Sequence, residues 1–180
     1  MKQILCLPII CLLLSFMTTS HAATQGPKQN TIPVEDFFSL PDYSNFQLSP
    51  DGTHIAALMP ILDRLNLVIL KTDNLADVKV LTGFKNQNVG SYFWSSDDRI
   101  VFTVDQSDGQ EAMSLFTVTW AKKTKITELV HAKFDRRAGI MANVVHTLPD
   151  DPNHIIVSYN ERYVEYPDLY TIALDSKWNK

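Results

Sequence analysis

From Phe46 onward the apolar residues fall in short runs bounded by turn formers, and the runs recur. A first unit opens with Phe46-Gln47-Leu48-Ser49-Pro50-Asp51-Gly52, enters His54-Ile55-Ala56-Ala57-Leu58-Met59 and continues in Leu67-Val68-Ile69-Leu70. A second opens with Tyr92-Phe93-Trp94-Ser95-Ser96-Asp97-Asp98, enters Ile100-Val101-Phe102-Thr103-Val104 and continues in Leu115-Phe116-Thr117-Val118. A third reads Val144-Val145-His146-Thr147-Leu148-Pro149-Asp150-Asp151, then Ile155-Ile156-Val157-Ser158-Tyr159 and Leu169-Tyr170-Thr171-Ile172. Asp51-Gly52 and its counterparts are predicted to form hairpin turns, because Gly, Asp and Asn accept the backbone angles that tight turns need. The run leaving each turn hardly alternates, the pattern of a strand covered on both faces.

Asp51 and Asp97 are 46 residues apart, and Asp97 and Asp150 are 53 apart. From each of these aspartates to the leucine of the next run the spacing is 16, 18 and 19. A repeat of this length, made of strands without a long helix, is the arithmetic of propeller blades, each a small antiparallel sheet. A β-sandwich could use similar turns, but a unit that returns three times at near-constant length favours the propeller. The expected fold is all-β: a partial β-propeller of about three antiparallel blades over residues 46–180.

The first 45 residues follow other patterns. From Ile4 to Met17 the chain is almost wholly apolar, behind Lys2 and ahead of Ser20-His21-Ala22. That order suits a cleavable secretory signal over residues 1–22, cut after Ala22, and implies a periplasmic or secreted product. The 14-residue apolar run, interrupted by Pro8, falls short of the ~20 residues a membrane span needs, so no stable membrane anchor is expected. Residues 23–45 read as a polar leader in which Pro33-Val34-Glu35-Asp36-Phe37-Phe38-Ser39-Leu40 forms a short helical turn. Proline opens it, acids follow, and Pro41 stops it.

Both cysteines, Cys6 and Cys11, lie inside the signal, so the exported chain would hold no disulfide and no cysteine-bound metal. Without Lys2 the balance is 15 basic against 20 acidic residues, a net charge of −5, which argues against a nucleic-acid partner. Lys122-Lys123-Thr124-Lys125 is the one dense basic run and lies between two strand segments, the place of a solvated turn.

Ile32-Pro33-Val34-Glu35-Asp36-Phe37-Phe38, Leu48-Ser49-Pro50-Asp51-Gly52, Trp94-Ser95-Ser96-Asp97-Asp98-Arg99, Leu148-Pro149-Asp150-Asp151-Pro152 and Pro167-Asp168-Leu169-Tyr170 occur in this order. Together they resemble the N-terminal propeller of the prolyl oligopeptidase family of serine peptidases, particularly exported bacterial dipeptidyl- and acylaminoacyl-peptidase-like members. The resemblance implies a propeller that stands before an α/β-hydrolase domain and restricts which peptides reach its active site. It also implies several further blades before that domain, so the chain is expected to be truncated ahead of it.

The sequence offers no catalytic apparatus. A hydrolase nucleophile needs a Gly-x-Ser-x-Gly elbow, and no two of Gly26, Gly52, Gly83, Gly90, Gly109 and Gly139 are four apart. Ser49 and Ser95 belong to blade turns. His54 and His154 stand where strands leave their turns, at the place of Arg99 in the second unit, while His131 and His146 lack partners at metal-ligand spacing. Asp105-Gln106-Ser107-Asp108-Gly109 has oxygens near a glycine but neither the alternation nor the closing glutamate of a calcium loop, and reads as a hairpin turn. Trp94, Trp120 and Trp178 invite a ligand-stacking reading, against which Trp94 is placed in an inter-blade core. Glu161, Arg162 and Glu165 invite a substrate-passage reading, against which a solvated loop is favoured. Catalytic, cofactor and metal residues are therefore all expected to be none.

Two functions from different classes remain. One is a non-catalytic, substrate-gating propeller portion of an exported serine peptidase, with peptides or a hydrolase domain as partners. The other is a stand-alone periplasmic propeller that binds proteins. Three blades fall short of the roughly four to eight of a closed ring, so self-association to complete one is a further expected partnership.

Overall fold

The computed structural model describes residues 41–106, 112–135 and 138–178, all within one of the two units of the chain, Ser39–Lys180. The signal, the leader and the helical turn expected at Pro33–Leu40 lie outside the described residues.

The described residues are all-β, and they form a partial propeller. Blade 1 is a four-stranded antiparallel sheet in the order β1-β2-β3-β4, from β1 (Ser44–Leu48), β2 (His54–Ile61), β3 (Arg64–Lys71) and β4 (Val78–Val80). Blade 2 repeats the order with β5 (Val89–Ser96), β6 (Arg99–Asp105), β7 (Met113–Thr119) and β8 (Lys125–Val130). A two-stranded hairpin of β9 (Lys133–Asp135) and β10 (Ala138–Ile140) follows. Blade 3 is three-stranded, with β11 (Ala142–His146), β12 (His154–Tyr159) and β13 (Asp168–Ala173) in that order. The three predicted turns each join the first and second strand of a blade. Lys122 and Lys123 sit in the β7–β8 turn, while Lys125 already belongs to β8.

The β9–β10 hairpin, with no counterpart between blades 1 and 2, accounts for the uneven period, and the first turns also differ in length. Residues 97–98 alone separate β5 from β6, whereas 49–53 and 147–153 separate the corresponding strands of blades 1 and 3. Only the second is a tight two-residue hairpin, closed by the Ser96–Arg99 pair. In blade 1 the loop is pinned instead by Ser49, whose backbone N–H bonds the His54 carbonyl at 2.8 Å and whose carbonyl accepts from Gly52 at 2.9 Å. Gly52 sits at φ +73°, where a side chain would be strained.

Burial explains the missing alternation. Ala56, Leu58, Leu67 and Ile69 of blade 1 pack against Tyr92, Ile100, Phe102 and Val118 of blade 2. Val101, Leu115 and Leu129, on the other face of blade 2, pack against Ala142, Ile155, Val157 and Ile172 of blade 3. Blade 2 is thus covered on both sides, and Ile100 to Val104 are buried without interruption. In blade 3 only one face is covered: β12 alternates, with Ile155, Val157 and Tyr159 buried and Ile156 and Ser158 partly exposed.

Candidate functional site at the turn-bearing end of the blades

The repeat places the three first turns at one end, where each is bonded to the next. The Asp51 backbone N–H donates to Asp97 Oδ1 at 3.0 Å. Ser95 Oγ donates to the Pro152 carbonyl at 3.0 Å, and Arg99 Nη1 donates to the same carbonyl at 3.0 Å and to Asn153 Oδ1 at 3.2 Å. The three turns bound a groove of about 500 Å³ that is lined by Pro50, Trp94, Ser95, Asp97, Pro149 and Pro152 among others. Proline rings and an indole give it an apolar floor, and a hydroxyl and a carboxylate stand at its margin.

Both turn serines engage their hydroxyls in hydrogen bonds of the turns. Ser49 is buried, and its hydroxyl donates to Asp51 Oδ1 at 2.6 Å while accepting the His54 N–H at 2.9 Å. The Ser95 hydroxyl is committed to Pro152, and no histidine stands within its hydrogen bonds. Asp51 is the most perturbed acid of the site. The Ser49 hydroxyl, then the Thr53 backbone N–H and hydroxyl, stabilise its carboxylate and lower its pKa to about 2. Those bonds close the turn and leave Asp51 fully ionised at neutral pH. In blade 3 the matching carboxylate is Asp151, one residue beyond the Asp150 used to measure the repeat: it accepts from the Asn153 N–H at 3.2 Å and meets His154 Nδ1 at 2.9 Å.

Of the other candidates Trp94 lines this groove, and the histidines, Trp120 and Trp178 do not. His54, Arg99 and His154 do begin β2, β6 and β12, as equivalent positions should. His146 Nδ1 accepts the Leu148 N–H at 3.0 Å, and His131 Nδ1 pairs with Glu128 at 2.6 Å. Trp94 and Trp120 meet edge to face at 5.6 Å in the blade 1–blade 2 core, while Trp178 packs on Tyr159 and Tyr170 beside blade 3. The three tryptophans therefore form two separate packing clusters and no common platform. Asp105 takes the Asn88 backbone N–H at 2.6 Å and its side-chain amide at 2.9 Å, which clamps the start of β5 to the end of β6; residues 107–109 of that loop lie outside the described residues.

Glu161 and Lys133 are 3.5 Å apart on the rim of a second hollow of about 350 Å³, with Tyr159 and Trp178 in its wall. Arg162 pairs with Asp168 and lies 5.2 Å from the Tyr163 ring centre, and Arg162 and Glu165 line a separate hollow of about 410 Å³ formed by Arg162–Tyr166, apart from the turn groove. Among the described residues no group of three or more His, Cys, Asp or Glu side chains could hold a metal ion.

The fold and this linked row of turns define a class: a run of propeller blades bonded turn to turn at one end. No protein-family model matches the chain. It is similar to dipeptidyl aminopeptidase BIII of Pseudoxanthomonas mexicana, with 28% identity over 145 residues, which cover 81% of this chain and 20% of that protein. The chain therefore spans about a fifth of the relative's length, and the relationship is to a peptidase.

Proposed function

We propose that this chain supplies opening blades of the substrate-gating propeller of an exported serine peptidase and takes no part in bond cleavage itself. The observation that carries the reading is the similarity to a dipeptidyl aminopeptidase across 81% of the chain, in a polypeptide whose described part is blades. Peptides are the ligand class this implies. Two further features support the division of labour: the sequence has no Gly-x-Ser-x-Gly elbow, and both turn serines spend their hydroxyls on structure. The apolar run Ile4–Met17 before Ser20-His21-Ala22 supports export.

The purified chain should leave chromogenic dipeptide and ester substrates unhydrolysed, and sustained turnover abolished by a serine-directed phosphonate would overturn the reading. The DNA beyond the Lys180 codon should encode further blades and then the missing elbow; unrelated sequence there would favour a stand-alone protein-binding propeller. Amino-terminal sequencing of the exported product should begin at Ala23.

A further inference from the structure

We infer that the interface between blades 2 and 3 holds an anion site, formed by Arg99, Lys125 and the hydroxyls of Thr119 and Thr127, that takes the carboxylate of a small monovalent acid. The site is a hollow of about 90 Å³ lined by these four residues together with Thr117, Leu174 and Asp175.

The strand register gathers the polar groups. Arg99 on β6 stands opposite Thr119 on β7, and Thr119 stands opposite Lys125 on β8. One row further along, Val101, Thr117 and Thr127 are aligned in the same way. Residues two apart on a strand share a face, so both rows look toward blade 3, where Val101 packs. Blade 3 closes the hollow with Leu174, one residue beyond the Ala173 that pairs with His154.

Blade 1 repeats the hollow and answers its charges internally. The equivalent positions are His54, Lys71, Ile69 and Lys79, with Asp77 in the place of Lys125 and Trp120 in the place of Leu174. These six residues line a hollow of about 280 Å³. Lys71 Nζ meets Asp77 at 2.7 Å, and Lys79 Nζ donates to the Trp120 carbonyl at 3.4 Å. In blade 2 the Lys71–Asp77 pair becomes Thr119–Lys125, so the cation remains and its carboxylate is gone. Among the described residues neither Lys125 nor Arg99 forms an ion pair.

Arg99 supplies the decisive donor. Its Nη1 donates to the Pro152 carbonyl at 3.0 Å and to Asn153 Oδ1 at 3.2 Å, which fixes the guanidinium across the interface. Its Nε is buried, and no group among the described residues accepts from it. A buried N–H without an acceptor is costly. The Nε side of a guanidinium offers two parallel N–H groups, a fork that fits the two oxygens of a carboxylate. Charge sets the valence of the ligand. Two cations, Arg99 and Lys125, face one carboxylate, Asp175, whose Oδ1 accepts from the Ser176 hydroxyl at 3.2 Å. A monoanion neutralises the remaining positive charge, and a dianion would meet Asp175 with charge to spare. Lys125 is exposed, so the hollow opens to solvent.

The test is a titration of the isotope-labelled full chain in which sodium acetate replaces sodium chloride at constant ionic strength, read by nitrogen–proton correlation spectra. The Arg99 Nε–H and the amides of Thr119 and Thr127 should shift along one saturating curve in the millimolar range, while the amides of His54 and Lys79 stay in place. Asp175→Asn removes the competing charge and should tighten acetate binding several-fold. Lys125→Met should weaken it several-fold. Both positions are exposed, and unchanged spectra elsewhere report an intact fold. Shifts that fail to saturate, shifts of equal size in the His54–Lys79 hollow, an Asp175→Asn chain that binds acetate no better, or tighter binding of sulfate than of acetate would overturn the inference.

Discussion

A single carboxylate carries much of the first blade's turn. Asp51 accepts from Ser49, Thr53 N–H and Thr53 Oγ1, and those bonds lower its pKa from 3.8 to about 2. The sign follows directly. The folded chain holds the ionised form more tightly than the unfolded chain, so the stabilisation is complete above 3.8 and is lost as pH falls toward about 2. Asp51→Asn should therefore lower the urea midpoint at pH 7, and the gap from the natural protein should close across that acid window. A gap that persists unchanged at pH 2 would remove the carboxylate from the argument. The residue is legible in the sequence because Asp-Gly marks a turn. Asn66 was not, since an asparagine within an apolar run has no visible partner. The structure buries it completely and satisfies its amide through Arg64 O, Phe84 O, Phe84 N and the Thr82 hydroxyl.

At the scale of the element, the central strands were legible and the outer ones were not. β2, β3, β6, β7 and β12 announce themselves as apolar runs because paired strands on both sides and an adjacent blade bury them, and β13 reads as one too although only its Ile172 is buried. β4 and the β9–β10 hairpin are three residues per strand, too short for a period to show, and β8 carries Lys125 and Glu128, neither of them buried. The β2–β3 turn was hidden for a different reason. Leu62 and Asp63 sit at φ +52° and +60°, the geometry of a primed two-residue turn that normally selects Asn-Gly. Leucine pays a steric penalty there, and its side chain is 72% exposed. Leu62→Asn should accordingly stabilise the fold by about 0.5–1 kcal/mol, read as a higher denaturant midpoint with an unchanged slope. A loss of stability would mean that Leu62 makes a contact on which blade 1 depends.

For the molecule as a whole, the alternation of β12 and its absence in β6 carry the same information from opposite directions. In a stack of repeats, stability is close to a sum of unit terms and interface terms. Blade 2 has an interface on each face, through Ile100 and Phe102 on one side and Val101 and Leu115 on the other. The corresponding positions on the outward face of blade 3 are Ile156, Ser158, Leu169 and Thr171, matched through their cross-strand pairs to Val101, Thr103, Leu115 and Thr117. The set in blade 2 is buried, whereas Leu169 is 67% exposed. The chemistry of an interface is therefore repeated on blade 3 without its cover, and the β12-facing amides there lack one stabilising layer. In native-state hydrogen exchange under rising urea, the β6–β7 amides should open only with global unfolding. Those of Ile156 and Val157 should open earlier, as one sub-global unit with β11 and β13. The difference should shrink if a sheet that presents a buried face like that of Ile155 and Val157 is fused beyond blade 3, because such a face covers Leu169 and Ile156 as blade 3 covers Leu115 and Val101. Equal opening energies for blades 2 and 3 in the unfused chain would show that the uncovered face costs nothing, and the additive account of the stack would fail.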